Sequence, residues 1–372
     1  MTTWKLLDDQ EARLIWDEQV ARFPDGSPFQ TYAWGEYRRS LGWQPYRWVA
    51  LDDEQQIVAM MQGSVRRYPI GIGLVWSEGG PVGDLSVCDQ SLPAAIKTTT
   101  KLRRIYCRFR CDRARTMEDV LRLRAQGWKL SWAPLTTCYS MMLDLDKDES
   151  ELLAACERNW RRNLKRFQEG NLTARQWLDP ETDEVFAVYE SMQTAKGLEE
   201  QLSREEIEQI IKNVKHRLVL YRCDDEQGNI VSLLGCVVIG ERACAVFSAT
   251  SEPGRKLNAS YAVFWALFRH CQRIGVKSFD LAGIDPLRNP GVFRFKRGTG
   301  AVPIEYLGEW DCATSTSVQW FGNWSIDNRE KLKRVESALK KACAPHRWIG
   351  TRRVRQPAQE SEPKSEFAEA QL

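Results

Sequence analysis

Polar and apolar positions follow nearly the same course twice along the chain. Tyr46, Trp48, Val49, Ala50 and Leu51 lead into the polar run 52–56, after which Ile57, Val58, Ala59, Met60 and Met61 are apolar again. The apolar-rich run 218–223 likewise leads into 224–229 and then into 230–234. Each stretch predicts two strands around a polar turn, and the two hairpins lie 172 residues apart. After the first, the pattern predicts a glycine-rich strand over 71–76, a helix near 90–102, a strand over 105–110, a helix over 116–127 and a strand over 137–143. After the second it predicts a strand over 243–250, a helix over 258–275, a strand over 277–281 and a glycine-bearing loop. The shared order predicts an α/β fold of mixed sheets built as two copies of one unit, 1–145 and 146–325.

Between the two units Leu153, Cys156, Trp160, Leu164 and Phe167 recur at three- and four-residue spacing, which predicts one helix over 151–170. Its other faces carry Arg158, Arg161, Arg162, Lys165 and Arg166, and Gly170 ends it. Leu332, Val335, Leu339 and Cys343 share a face ringed by Lys331, Lys333, Arg334, Lys340 and Lys341. That predicts a basic amphipathic helix over 326–350, of the kind that lies on a membrane surface. Residues 351–372, rich in Gln, Glu, Ser, Pro and Ala, are expected to be a disordered tail.

With 372 residues, 43% of them apolar and 28% charged, the composition is that of a globular chain with ample core. No apolar run is long enough to span a bilayer and no secretory signal opens the sequence, so a cytoplasmic location is expected. Eleven cysteines at irregular spacing point to free thiols. Three histidines far from any Cys pair leave no zinc pattern, and no metal is expected. The net charge of +3 hides alternation: 101–130 carries ten bases against three acids, 179–208 ten acids against two bases, and 329–355 ten bases against two acids. An anionic partner would therefore meet patches rather than a uniform field. The fifteen tryptophans divide by position: Trp160 and Trp265 lie on apolar helical stripes and are read as core.

Four segments carry a resemblance to a known family. They are 29–43, with Gln30 four residues before Trp34 and a basic helix after it; 79–84; the helix around Arg158, Trp160, Arg161 and Arg162; and 254–298, which holds Asp280, Asp285, Phe295 and Lys296. In this order they resemble the FemAB family, aminoacyl-tRNA-dependent transferases that build peptide bridges on peptidoglycan precursors, within the wider GNAT-like acyltransferases. The resemblance implies two tandem GNAT-like halves, no bound cofactor, aminoacyl-tRNA as donor, and an amine of a peptidoglycan or lipid-linked precursor as acceptor. A peripheral contact with the inner membrane surface goes with such an acceptor.

Acyl transfer to an amine needs a neutral amine, a donor carbonyl held near it and a positive group aimed at the developing oxyanion. No Ser–His–Asp or Cys–His set is readable, so no covalent acyl-enzyme is expected. The resemblance places the oxyanion stabiliser on Phe295–Lys296, with Asp280 and Asp285 as the nearest carboxylates to take the amine proton; Asp285 before Pro286 equally suits a turn. It places acceptor phosphates on Arg38, beside Trp34, and gives Lys196 a place in a basic substrate-binding turn. Arg255, Lys256 and Asn258 precede a helix N-terminus, a natural phosphate seat, and Arg158, Arg161, Arg162 and Lys165 offer RNA or phosphate contacts. Two other readings remain open. One is an acyl-CoA-dependent N-acyltransferase of envelope polysaccharide, against which the missing glycine loop at 257–260 argues. The other is a non-catalytic RNA-binding module using 101–130 and 157–166.

Overall fold

The computed structural model describes residues 2–170, 172–196 and 202–328, with the side chains of Ile70 and Lys196 left aside. Residues Met1–Asp327 form one compact unit. The expected helix over 326–350, beyond its first three residues, and the tail at 351–372 lie outside the described residues.

The repeated pattern folds as a repeat. The first half runs β1 (Thr3–Leu6), α1 (Asp9–Ala21), α2 (Tyr32–Ser40), β2 (Gln44–Leu51), β3 (Ile57–Tyr68), β4 (Ile72–Glu78), α3 (Ser91–Thr100), β5 (Arg104–Ala114), α4 (Met117–Ala125) and β6 (Tyr139–Asp144). Two linking helices follow, α5 (Glu149–Ala155) and α6 (Arg158–Gln168). The second half runs β7 (Ala174–Gln176), α7 (Thr182–Lys196), α8 (Arg204–Val214), β8 (Leu218–Asp224), β9 (Ile230–Ile239), β10 (Arg242–Thr250), α9 (Glu252–Lys256), α10 (Ala259–Arg273), β11 (Ser278–Asp280), α11 (Pro290–Arg297) and β12 (Val302–Ala313). Apart from α9 and the first half's two-residue strands Val82–Gly83 and Lys129–Leu130, both halves carry the same strands and α-helices in the same order, and α12 (Thr316–Asp327) closes the described chain.

Even the hairpin turns are built alike. Asp52 Oδ1 accepts from the amides of Glu54 and Gln56 at 2.9 and 2.8 Å, and Asp225 Oδ1 accepts from those of Gln227 and Asn229 at 3.0 and 2.8 Å. This side-chain mimicry of a backbone turn is why each polar run holds an aspartate where its turn starts. Three residues after each aspartate the chain turns left-handed, at Gln55 with φ 60° and at Gly228 with φ 84°.

Among the described residues twelve strands lie in one path, β1-β2-β3-β4-β5-β12-β6-β11-β10-β9-β8-β7, and the two-residue strands Val82–Gly83 and Lys129–Leu130 pair beside it. The last strand of each half is exchanged. β6 pairs antiparallel with β11 of the second half, while β12 passes from β6 at 302–305 to β5 of the first half at 306–313. The register of β12 shifts between Tyr306 and Gly308, where Gly308 takes φ 81°, a bulge that turns the strand from one half to the other. β4 with β5 and β10 with β11 are the parallel pairs.

Each half-sheet buries both faces. In the first half α3 and α4 cover one face through Leu92, Ile96, Val120 and Leu123, and α1 covers the other through Ala12, Trp16 and Val20. In the second, α10 and α6 cover one face, and α7 and α8, joined by Trp34 and Tyr37 of α2, cover the other. The halves are also pinned by a buried ion cluster. Arg108 of β5, fully buried, donates to Glu309 at 2.9 Å, to Asn323 of α12 at 2.8 Å and to the Ala133 carbonyl at 2.7 Å, with Asp311 3.5 Å away.

One predicted element is corrected. The helix expected over 151–170 is two helices, broken where Cys156 is extended (φ −65°, ψ 142°). The amide of Glu157 donates to the Gly298 carbonyl at 2.9 Å instead of continuing the helix. The apolar spacing passes through the break because Leu152 and Cys156 on one side and Trp160, Leu164 and Phe167 on the other all reach the same core.

Candidate active site

α11 begins at Pro290, with the Asn289 side chain accepting from the Val292 amide at 3.4 Å, and its one apolar side aims Phe295 inward. Phe295 packs edge-on against Tyr261 and Phe264 of α10, with ring centroids 5.0 and 4.9 Å apart, and tilts against Trp160 of α6 at 6.2 Å. That anchor fixes the next side chain. The Lys296 ammonium donates to the carbonyls of Ala282 and Gly283 at 3.0 and 2.9 Å. Burial pushes the Lys296 amine down to about 8, against the opposing pull of Asp280 and Cys244.

The loop that receives Lys296 leaves β11 through Ala282, left-handed at φ 63°. Asp280 holds that turn: Oδ1 accepts from the Ala282 amide at 2.8 Å and from the Ser140 hydroxyl of β6, and Oδ2 accepts from the Tyr306 hydroxyl of β12 at 2.7 Å. Burial and the nearby carboxylates raise the Tyr306 phenol well above its ordinary value. Beside this group a cavity of about 10 Å³, room for one water, is lined by Ser27, Asp112, Cys244, Asp280 and Tyr306. The exchange of β6 and β12 is what brings Ser140 and Tyr306 to Asp280.

The polar set continues into the first half. Asp112 accepts from Ser27 at 2.8 Å and from Arg110 at 2.9 and 3.2 Å. Arg110 stands over the Phe29 ring at 5.0 Å and 3.9 Å from Glu78, which accepts from the Trp34 indole at 3.1 Å. Of the three carboxylates, Asp280 and Asp112 are held by three donors each, whereas Glu78 Oε2 takes only the Trp34 indole and its other oxygen faces Arg110.

The structure joins some expected site residues and separates others. Lys296, Phe295 and Asp280 form one cluster. Asp285 instead accepts from the amides of Leu287 and Arg288 at 3.0 and 2.8 Å, ordering the turn before α11. Trp34 is buried at the first-half end of the polar set, and Arg38, half-buried, lies over Trp43 at 5.1 Å with its buried Nε lacking a hydrogen-bond partner. Lys196 is the last residue of α7, and its side chain is not described. Arg255 caps the Thr250 carbonyl at 3.2 Å, Lys256 pairs with Glu252 at 3.0 Å, and Asn258 is left-handed at φ 59°. Arg158, Arg161, Arg162 and Lys165 are all exposed on α6. A cavity of about 450 Å³ is lined by Arg166 at the end of α6, by Lys256 and Asn258, and by the acidic Asp225 and Glu226 of the second hairpin turn.

The basic run 101–130 is partly taken up by the fold, while Lys101, Arg103, Arg104 and Arg124 are exposed. Arg108 is buried, Arg110 pairs with Asp112, Arg113 pairs with Asp25 at 2.8 Å, and Arg122 pairs with Glu118 at 2.5 Å. Ser140 and Tyr306 went unremarked in the sequence, as did Asp112 and Glu78. For Asp112 a signal was present: Arg108, Arg110 and Asp112 alternate with Cys107, Phe109 and Cys111, the mark of a strand with one charged and one apolar face.

Among the described residues no helix is long and apolar enough to cross a membrane, and no group of His, Cys, Asp and Glu is placed to hold a metal ion. Residues 188–321, which contain Asp280, Phe295, Lys296 and Tyr306, match the model of the FemAB family. This segment belongs to the FemAB family. The reaction of that family is acyl transfer to an amine. No curated protein matches the sequence. Among solved structures, FemX is similar over 83% of this chain and 96% of its own, at 16% identity and a TM-score of 0.69. L-PGS from Bacillus licheniformis is similar over 87% and 98%, at 15% identity and 0.50, and a tandem GNAT protein from the clavulanic acid biosynthesis pathway over 85% and 99%, at 13% and 0.52. At these identities the likeness is one of fold: tandem GNAT-like halves.

Proposed function

We propose that this FemAB-family acyltransferase moves an amino acid from aminoacyl-tRNA to an amino group of a peptidoglycan or lipid-linked envelope precursor, with no bound cofactor. The observation that supports it best is the Lys296 ammonium, anchored through Phe295 and held by two carbonyls at the loop after β11, inside the segment that matches the family. A cation fixed in a partly dry site stabilises an oxyanion without having to reorganise as charge develops. With an amine near 8, Lys296 is mostly ammonium at neutral pH, the form this role requires.

In this reading the tandem halves 1–145 and 146–325 supply the acceptor and donor sides. Arg38 and Trp34 take the acceptor, Arg38 by offering phosphate its guanidinium, whose Nε has no hydrogen-bond partner, and Lys196 contributes to the same acceptor binding. The exposed arginines and lysine of α6, with Arg255, Lys256 and Asn258, take the phosphates of the donor. Asp285 orders the turn that leads into α11. The chain works in the cytoplasm, and its basic 326–350 segment meets the inner membrane surface when the precursor is lipid-linked. Incubation with labelled aminoacyl-tRNA, and separately with labelled acyl-CoA, each with nucleotide-linked and lipid-linked precursors, tests this. Label passing to precursor from aminoacyl-tRNA supports it; transfer from acyl-CoA alone replaces the donor, and RNA binding without any transfer removes the enzyme reading of the basic surface.

A further inference from the structure

The carboxylate nearest Lys296 is the obvious group to take the acceptor's proton, yet its surroundings fit a different task. Both Asp280 oxygens are already accepting: Oδ1 from the Ser140 hydroxyl and the Ala282 amide, Oδ2 from the Tyr306 hydroxyl. A general base must keep an oxygen within reach of the proton it removes. What Asp280 does instead is fix the Ala282 turn. A non-glycine residue at φ 63° is held there only when its surroundings impose it, and the Asp280-to-Ala282 hydrogen bond imposes it. The same turn presents the carbonyls of Ala282 and Gly283 to the Lys296 ammonium.

We propose that Asp280, with Ser140 and Tyr306, is a positioning group that acts through Lys296: it locks the left-handed turn whose carbonyls seat the ammonium, and it faces that ammonium with a fixed negative charge. The exchanged strands give this a purpose. Ser140 comes from β6 and Tyr306 from β12, so the ammonium is seated only when the two halves have traded their last strands. The groups facing Lys296 from the strands packed against it are Asp280 on β11 and Cys244 on β10, whose thiol burial keeps neutral. On the helices, Arg297 is occupied with Glu157 at 2.9 Å.

This inference rests on the reading of Lys296 as the oxyanion stabiliser, so its test is made independent of turnover. The full-length protein is treated with an amine-selective acylating reagent across pH 6–11, and the labelling rate of Lys296 is followed by peptide mass spectrometry. In the wild type the midpoint is expected near 8. Asp280→Asn keeps the shape and removes the charge, so the ammonium loses its partner and the midpoint falls by half a unit or more, raising labelling at pH 7 by about threefold or more. Tyr306→Phe leaves the carboxylate with one donor fewer, its charge less spent on hydrogen bonds, and the midpoint rises. Simple loosening of the fold would carry both variants toward the ordinary lysine value, so opposite shifts mark the charge relation. If Asp280→Asn fails to fold, Asp280→Ser, which also removes the charge while keeping an oxygen for the Ala282 amide, decides by the same fall in the midpoint, judged on protein with an unchanged near-ultraviolet spectrum. An unmoved midpoint in the folded variants, or a rise in Asp280→Asn, overturns the proposal whether or not the protein transfers amino acids.

Discussion

Replacing Lys296 by methionine makes a prediction that needs no substrate. The buried amine titrates near 8 in the folded protein and near 10.5 in the unfolded chain. Below pH 8 both states are charged, and the folded state carries the cost of holding the ammonium out of water. As pH rises from 8 toward 10.5 the folded state has released its proton while the unfolded chain still binds one, so stability grows with pH. Between pH 7 and pH 10 the two values give the wild type a gain of about 2.5 kcal/mol that Lys296→Met lacks. Other titrating groups are common to both proteins and cancel in the difference. Denaturant unfolding of each at pH 7, 8.5 and 10 measures it: the stability of Lys296→Met relative to wild type should decline by about 2.5 kcal/mol over that span. A difference that stays flat would show that Lys296 titrates as an ordinary lysine, and the dry ammonium site would be refuted.

Other outcomes follow from the same contacts. Arg108→Met leaves Glu309 and Asp311 buried without their cation and should cost about 3–5 kcal/mol in denaturant unfolding; a loss under 1 kcal/mol would mean the cluster does not pin the halves. Arg38→Ala should raise the acceptor KM with little change in kcat, and equal KM values would remove Arg38 from acceptor binding. Reversing charge at Arg158, Arg162 and Lys165 should weaken binding of tRNA and flatten its dependence on salt, and an unchanged slope in filter binding would exclude α6 as the RNA surface.

Much of the fold was readable because the duplication is written in local chemistry. Asp52 and Asp225 each start a turn by accepting from amides two and four residues on, and that habit leaves the same polar run in both halves. The exchange of β6 and β12 was not readable, because alternation along a strand fixes which face is buried and says nothing of which strand lies beside it. The break at Cys156 was hidden because both linking helices point apolar residues into one core. Phe295 and Lys296 were found through the family pattern, and the structure adds why the aromatic residue precedes the lysine: its ring is locked among Tyr261, Phe264 and Trp160. Ser140 and Tyr306 were missed because their partner lies 140 and 26 residues away and only the exchanged strands bring them to it. The pairing inside the basic run 101–130 was hidden for a related reason, since Arg113 meets Asp25 and Arg108 meets Glu309, acids from distant segments.

The central claim is that a seated Lys296 ammonium stabilises the transition state of amino acid transfer from aminoacyl-tRNA. Single-turnover transfer of labelled amino acid to precursor, at saturating acceptor, tests it most directly in wild type and Lys296→Ala. The account predicts transfer by the wild type and a rate at least a hundredfold lower in the variant, about 2.7 kcal/mol or more of lost transition-state stabilisation, with acceptor affinity nearly unchanged. Equal single-turnover rates in the two proteins would contradict it.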